Sequence, residues 1–482
     1  MSEVRRVARN ISYLFVYQAL SRLLGLVINV VLARKLADAG YGRYSVILVV
    51  VMIAGMAADF GSANIIVREV SRRREKANQV LASALLLRGL TTVMVALAVL
   101  VILLAGGVGG DYFLPLMIAT LSIIPTSLST AIEAGFQGFE RMDLSALADV
   151  IFSLVLTAAG VAVLYSGGGI AAMTVVYLAA SCVRLGYSSL FYRRLDRERG
   201  GWSVTRESFA HLARESFPVL YWQLISLAYY KVDILLLEWL RDDAEVGRYA
   251  AAYKLFEIPV MFGWLAVHAL LPVMSRFQNT SKEKLFTLFE KTLKYIWVTG
   301  LGAAIMMVAL SAPVIRLLFP PEFEPSVDIL RVLGLAVPFM VGTTLFGNLY
   351  IALGVQGRMA KWSLLSLAAN VGLNLLFIPA YGAIGAAMTT LFADVLSFVV
   401  FYGFCAYFLR GVRLREVFAA PLAAAFASLT VLRSLSECCE LQALAAAGAA
   451  AVYIGSLLLF RVISKDDMGY FRQLRNGGGG TA

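Results

Sequence analysis

Five cationic side chains stand inside apolar stretches of the chain: Arg22, Arg88, Arg184, Lys231 and Lys254. An ionisable group in hydrocarbon is costly, and it is tolerated where it faces a bundle interior or a water-filled cavity and meets a partner there. The sharpest case is residues 218–240, PVLYWQLISLAYYKVDILLLEWL, long enough to cross a bilayer yet carrying Lys231 and Asp233 well inside. Arg22 and Lys231 each fall near the middle of their apolar segments. Two cations confronting one another across a cavity are unfavourable unless an anion joins them. A phosphate or pyrophosphate group suits that place, Arg supplying a bidentate fork and Lys a point charge. Arg22 and Lys231, with Arg88 and Arg184 as further candidates, are therefore the expected pyrophosphate ligands. The competing reading pairs each cation with a nearby acid, or lets Arg88 and Arg184, in the cytoplasmic thirds of their segments, snorkel to lipid phosphates.

The acids inside apolar segments are Asp59, Glu133, Asp149, Asp233, Glu238, Glu257 and Asp394. Asp59, Glu133 and Asp149 lie toward cytoplasmic ends and Glu238 toward an outer end, whereas Asp233 and Asp394 are deeper. A deep carboxylate can take up a proton or bind Na⁺, so Asp233, Asp394 and Glu257 are the candidates for coupling to an H⁺ or Na⁺ gradient. They serve equally as salt-bridge partners, and the i, i+3 spacing of Lys254 and Glu257 favours an internal pair. Among neutral polar residues, Gln18, Gln223, Tyr230, Asn370 and Asn374 combine amides with an aromatic face and suit a glycan, as they also suit helix packing. Asn370 and Asn374 are one helical turn apart and share a face. Two histidines, His211 and His268, with no metal-ligand cluster, phosphate loop or nucleophile elbow, point away from an enzyme and away from any cofactor beyond the coupling ion.

The elements that position these groups follow from composition. A chain of 482 residues that is 60% hydrophobic and 15% charged, with a mean hydropathy of +0.78, is a polytopic membrane protein. The net charge of +11 belongs to basic loops on the cytoplasmic side, not to nucleic-acid binding. Cys182 and Cys405 lie in apolar segments and Cys438-Cys439 in a short loop, neither a disulfide framework nor a metal spacing. Fourteen apolar stretches of membrane-spanning length are present, including 10–33, 41–64, 361–380, 383–409, 417–434 and 441–463. With a cytoplasmic N-terminus, 29 Lys and Arg fall on the inside and 8 on the opposite side, so both termini are expected in the cytoplasm. The basic loops 193–214 and 275–291 could each form an amphipathic helix at the membrane surface. Pro125 and Pro338 are candidate hinges, or else static bends.

The chain also repeats. Gln18 falls on Gln223 and Gly42-Arg43-Tyr44 on Gly247-Arg248-Tyr249, at an offset of 205 residues. Ala171-Ala172-Met173-Thr174 returns as Ala386-Ala387-Met388-Thr389 at 215, and Gly135-Phe136-Gln137-Gly138 resembles Gly354-Val355-Gln356-Gly357 at 219. Three ordered matches argue for two homologous halves, and an even helix number per half gives both the same orientation. The expected fold is all-α and polytopic: about 14 transmembrane helices in two parallel six-helix repeats around a central cavity, plus two extra C-terminal helices. The expected domains are 1–200, 201–412, the helix pair 413–466 and a cytoplasmic tail 467–482.

The helix count, together with Asn10-Ile11-Ser12-Tyr13-Leu14-Phe15, Ser21-Arg22-Leu23-Leu24-Gly25, Ala33-Arg34-Lys35-Leu36 and Gly40-Tyr41-Gly42-Arg43-Tyr44-Ser45, resembles the Wzx-type lipid-linked oligosaccharide flippases of the multidrug/oligosaccharidyl-lipid/polysaccharide exporter superfamily. That resemblance implies alternating access through a V-shaped cavity between two six-helix bundles. It implies transfer of polyprenyl-pyrophosphate oligosaccharide from the cytoplasmic to the outer leaflet, Arg22 and Lys231 holding the pyrophosphate and the polar lining the glycan. It further implies a monomer in the cell membrane of a prokaryote, with a polysaccharide polymerase and chain-length machinery as partners and no nucleic acid. A flippase for the lipid II-type peptidoglycan precursor and an ion-coupled multidrug antiporter of the same superfamily are the alternatives. The short outer loops speak against a membrane enzyme.

Overall fold

In hydrocarbon every backbone N–H and C=O must be satisfied within the protein, which leaves helices and closed barrels as the spanning structures. The computed structural model describes residues 3–105, 112–195, 201–408, 414–438, 442–460 and 462, and among these the regular elements are helices and short 3-10 turns. Cys439 and the segment 467–482 lie outside the described residues. Among the described residues eleven helices are long and apolar enough to cross a membrane, and Leu444–Leu459 is a shorter apolar one. The chain divides into two units, Met1–Gly247 and Arg248–Ala482.

The first unit contains α1 (Glu3–Asp59), α2 (Ser62–Arg72), α3 (Ala77–Ala105), α4 (Phe113–Leu121), α5 (Ile123–Gly138), α6 (Met142–Tyr165), α7 (Ile170–Arg194), α8 (Arg206–Leu240) and the first turn of α9 (Asp243–His268). The apolar stretch Val16–Asp59 of α1 has 44 residues. At 1.5 Å per residue it would be about 66 Å long if straight, roughly twice the hydrocarbon thickness. It is not straight: Ala37 takes φ 56 and ψ −173, and the helix turns there, between the expected segments 10–33 and 41–64. The Ala39 N–H donates to Asp38 Oδ1 at 2.8 Å as the chain re-enters the helix.

The same unit shows how short polar side chains fix helix starts. Thr205 caps α8, its hydroxyl accepting from the Ser208 N–H at 3.2 Å. Asp242 caps α9, its carboxylate accepting from the Glu245 N–H at 2.8 Å, with an acid at the third position as in a capping box. The expected helix through Pro125 is divided at Ser122, where α4 ends and α5 begins. Proline lacks the N–H that would continue the ladder and is tolerated in a first turn.

The second unit contains the rest of α9, then α10 (Leu271–Thr280), α11 (Lys282–Leu318), α12 (Ser326–Ala352), α13 (Gln356–Phe408), α14 (Leu414–Cys438) and α15 (Gln442–Leu459). Helix α13 repeats the device of α1: its apolar stretch Trp362–Cys405 has 44 residues and turns at Gly382, with φ 60 and ψ −136, between the expected segments 361–380 and 383–409. Pro338, by contrast, lies inside an unbroken α12. The interior holds an aromatic cluster in which Trp297 of α11 meets Phe339, Phe398 and Phe418 edge to face at 5.2, 5.4 and 4.8 Å. Helices α14 and α15 are tied together by Ser428 Oγ donating to Ala449 O at 2.6 Å, and α15 to α11 by Tyr453 Oη donating to Val298 O at 2.7 Å. Close backbone approach lets these small-residue helices share hydrogen bonds inside lipid.

Candidate functional site

The four cations expected to hold an anion fall into two classes. Arg88 of α3 is fully buried. Its Nε donates to Ser62 Oγ at 2.8 Å and its Nη1 to Ser127 O at 2.6 Å and Thr130 Oγ1 at 2.7 Å, while its Nη2 pairs with Asp59. Arg184 of α7 binds both oxygens of Glu133, at 2.9 and 2.6 Å, and reaches Asp149 at 2.7 Å. Ser188 adds a bond to Glu133 at 3.0 Å. The side chains of Arg184 and Glu133 are only 13% and 5% exposed. Neither arginine snorkels, because each is turned inward onto carboxylates of other helices. Both are committed to internal pairs that satisfy buried charge, and neither presents a free fork to a pyrophosphate.

Arg22 is different. It stands exposed on α1, within the membrane-length stretch, and among the described residues it makes no hydrogen bond or ion pair. The hydroxyl of the adjacent Ser21 is buried with no partner among the described residues. Lys231 is half-buried on α8 and is engaged by neighbouring groups, as is the buried Asp233. Helix α1 packs against α8, so the two helices carrying Arg22 and Lys231 belong to one unit.

The polar residues expected at a glycan divide similarly. Gln18 and Gln223 are half-buried, and the Gln223 amide oxygen has no hydrogen-bond partner among the described residues. Tyr230 packs edge to face on Tyr229 at 5.5 Å. Asn370 and Asn374, in contrast, are buried in the second unit, where Asn374 Nδ2 donates to Asn370 Oδ1 at 3.0 Å. Their shared helix face is a packed one in this structure. Of the coupling candidates, Asp394 is buried on α13 and engaged by neighbours, and Glu257 accepts from Lys254 Nζ at 3.3 Å, the i, i+3 pair expected from spacing. Among the described residues no group of three or more metal-ligating side chains is present.

What this arrangement offers is a guanidinium with no polar partner among the described residues, on a membrane-length helix of a unit in which Arg88 and Arg184 are held in internal pairs.

Residues 7–278, more than half of the chain, match the family described as polysaccharide biosynthesis protein. The chain belongs to that family. Two curated relatives extend the match. The chain is 21% identical to the probable low-salt glycan biosynthesis flippase Agl15 of Haloferax volcanii, over 76% of each chain. It is 22% identical to the capsular polysaccharide biosynthesis protein CapF of Staphylococcus aureus, over 83% of this chain and 99% of the relative. Its fold is shared with the inward closed conformation of the lipid II flippase MurJ: the TM-score is 0.73 at 16% identity, covering 93% of this chain and 98% of that one. The chain is thus a multi-pass membrane protein that shares that neighbour's fold.

Proposed function

We propose that this polysaccharide biosynthesis protein is a flippase. It moves a polyprenyl-pyrophosphate-linked oligosaccharide from the cytoplasmic to the outer leaflet by alternating access, for cell-surface polysaccharide synthesis. The observation that carries this reading is Arg22, an exposed guanidinium within a membrane-length helix and without a polar partner among the described residues. A charge so placed is retained for a ligand of opposite sign, and the fork of Arg matches a phosphate. Lys231, on the neighbouring α8, is the second pyrophosphate ligand, and Gln18, Gln223 and Tyr230 receive the glycan. Two curated relatives with glycan-flippase and capsular-polysaccharide names support the substrate class.

The topology fits fourteen crossings. Eleven long helices include two 44-residue stretches, each bent where one crossing would end and another begin, and α15 adds a shorter apolar crossing. The excess of Lys and Arg in alternate loops supports a topology with both termini in the cytoplasm. Asp233 and Asp394, carboxylates buried in membrane-length helices, would couple transport to Na⁺ or H⁺.

The test is deletion of the gene in its source organism, complementation with wild type, Arg22→Lys or Arg22→Glu, and leaflet-resolved extraction of polyprenyl-linked glycans. Complete oligosaccharide should accumulate on the inner leaflet, be cleared by wild type, partly by Arg22→Lys, and not by Arg22→Glu. Accumulation of a peptidoglycan precursor would instead identify the lipid II-type activity. Unchanged glycolipid with altered sensitivity to cationic drugs would overturn the reading in favour of an antiporter.

A further inference from the structure

The turn between α2 and α3 reads Arg72-Arg73-Arg74-Glu75-Lys76. Arg73 leaves the helix with φ −141 and ψ 77, its N–H donating back to Glu69 O at 3.0 Å, and a 3-10 turn over Arg74–Lys76 leads into α3. Against this turn lies the first turn of α8. Gln79 Nε2 donates to the capping Thr205 Oγ1 at 2.9 Å, and Ser83 Oγ donates to Ser208 Oγ at 3.0 Å, so the start of α8 is fixed to α3. Between the two elements is a polar cavity of about 550 Å³.

The charges around it do not cancel. Arg68 takes up Glu69 and Glu215, at 3.0 and 3.3 Å, and His211 stands 3.6 Å from Glu69. Arg74 leans away to Glu140 at 3.6 Å and does not line the cavity. Arg72, Arg73 and Lys76 also line the cavity, exposed and with no hydrogen bond or ion pair among the described residues, so that with Arg68 four cations face the three lining acids Glu69, Glu207 and Glu215. The amino end of the 35-residue α8 adds the positive end of its dipole. Beside this polar hollow the chain exposes aromatic surface: Phe217, two residues beyond Glu215, is 60% exposed, and Trp202, three before Thr205, is 58% exposed.

We propose that this cavity is a binding site for the headgroup of an anionic phospholipid. The phosphate sits among Arg72, Arg73 and Lys76, while the acyl chains run against the apolar surface that Phe217 and Trp202 begin. Cations at a membrane surface attract anionic lipid. A defined cavity adds selectivity to that attraction, and the adjoining aromatics favour a lipid over a soluble anion. The proposal is separate from the transport substrate, since it uses none of the residues assigned to it.

The experiment uses the full chain, purified in a neutral detergent. It is titrated with phosphatidylglycerol or phosphatidylcholine, and retained lipid is read by native mass spectrometry. Wild type should retain phosphatidylglycerol at least about tenfold over phosphatidylcholine. The triple variant R72Q/R73Q/K76Q should lose that preference while keeping the lipid-free melting temperature, and Arg74→Gln should behave as wild type. Retention should survive millimolar inorganic pyrophosphate. No preference in wild type, or a preference untouched by the triple change, would overturn the site. Pyrophosphate that displaces the lipid and binds wild type but not the triple variant would reassign the cavity to a soluble phosphate and overturn the lipid.

Discussion

Gly42 lies directly on the backbone of Asp243: a Cβ added to Gly42 would stand 1.8 Å from the Asp243 carbonyl oxygen. The relation is returned, for a Cβ on Gly247 would stand 2.0 Å from the Asp38 carbonyl oxygen. Asp38 and Gly42 correspond to Asp243 and Gly247 across the offset of 205 residues, so each copy of one repeated motif receives the backbone of the other. Arg43 Nε adds an ion pair to Asp243 Oδ2 at 2.5 Å, and Tyr112 Oη stands within hydrogen-bond distance of both Glu238 Oε1, at 2.7 Å, and Asp243.

Because the obstacle is backbone, neither glycine tolerates a side chain. Gly42→Ala and Gly247→Ala should each cost about 1–3 kcal/mol and lower the melting temperature of the purified protein. Gly55→Ala, on the same α1 with nothing within 4 Å of its added Cβ, should leave it unchanged.

Arg184 and Glu133 form a buried pair, and breaking such a pair from one side costs about 3–5 kcal/mol because the surviving charge is stranded. Arg184→Met and Glu133→Gln should each reduce the yield of folded protein sharply. The double substitution should recover part of the loss, and a double-mutant cycle on melting temperature measures the coupling.

Trp297→Ala removes the ring that joins Phe339, Phe398 and Phe418. The cavity left behind should cost about 3–5 kcal/mol. Trp297→Phe should cost less, and thermal denaturation monitored by near-ultraviolet circular dichroism distinguishes the two.

At Glu69, on the short α2, burial pushes the carboxyl up, but hydrogen bonds from Arg68 and His211 outweigh it and hold the group below its ordinary value of 4.5. A depressed carboxylate stabilises the folded chain above its unfolded value, and that contribution disappears as pH falls through the folded one. The melting temperature should therefore be insensitive to this contact at neutral pH and fall below about 4.5. Glu69→Gln should flatten that acid limb.

Much of this was readable in the residues, and the limits have physical causes. Hydropathy marked the membrane segments because crossing length is fixed by bilayer thickness, and the bends at Ala37 and Gly382 fall between segments read as separate. The repeat was visible because Gly42 and Gly247, meeting backbone, admit no other residue, and because Tyr44 and Tyr249 are both buried. The partners of Arg88 were hidden, since Ser62 Oγ, Ser127 O and Thr130 Oγ1 are neutral groups on other helices, and an evenly apolar helix does not announce which way it is rotated. A signal did exist: Arg88, Arg184, Asp59, Glu133 and Asp149 all lie toward the same end of their segments, and equal depth is what ion pairing in lipid requires. Asn370 and Asn374 shared a face as spacing implied, but spacing alone does not say whether that face is wet.

The internal pairs of the first unit bear on how the chain is made. A charged residue on a lone membrane helix is costly to insert, and Glu133 and Asp149 emerge from synthesis on α5 and α6 before Arg184 arrives on α7. Until α7 is in place those acids lack the cation they meet in the folded chain. The first unit is built to complete its entry into the membrane as a group, and a chain cut short before α7 would present the cell's quality control with unpaired acids in α5 and α6.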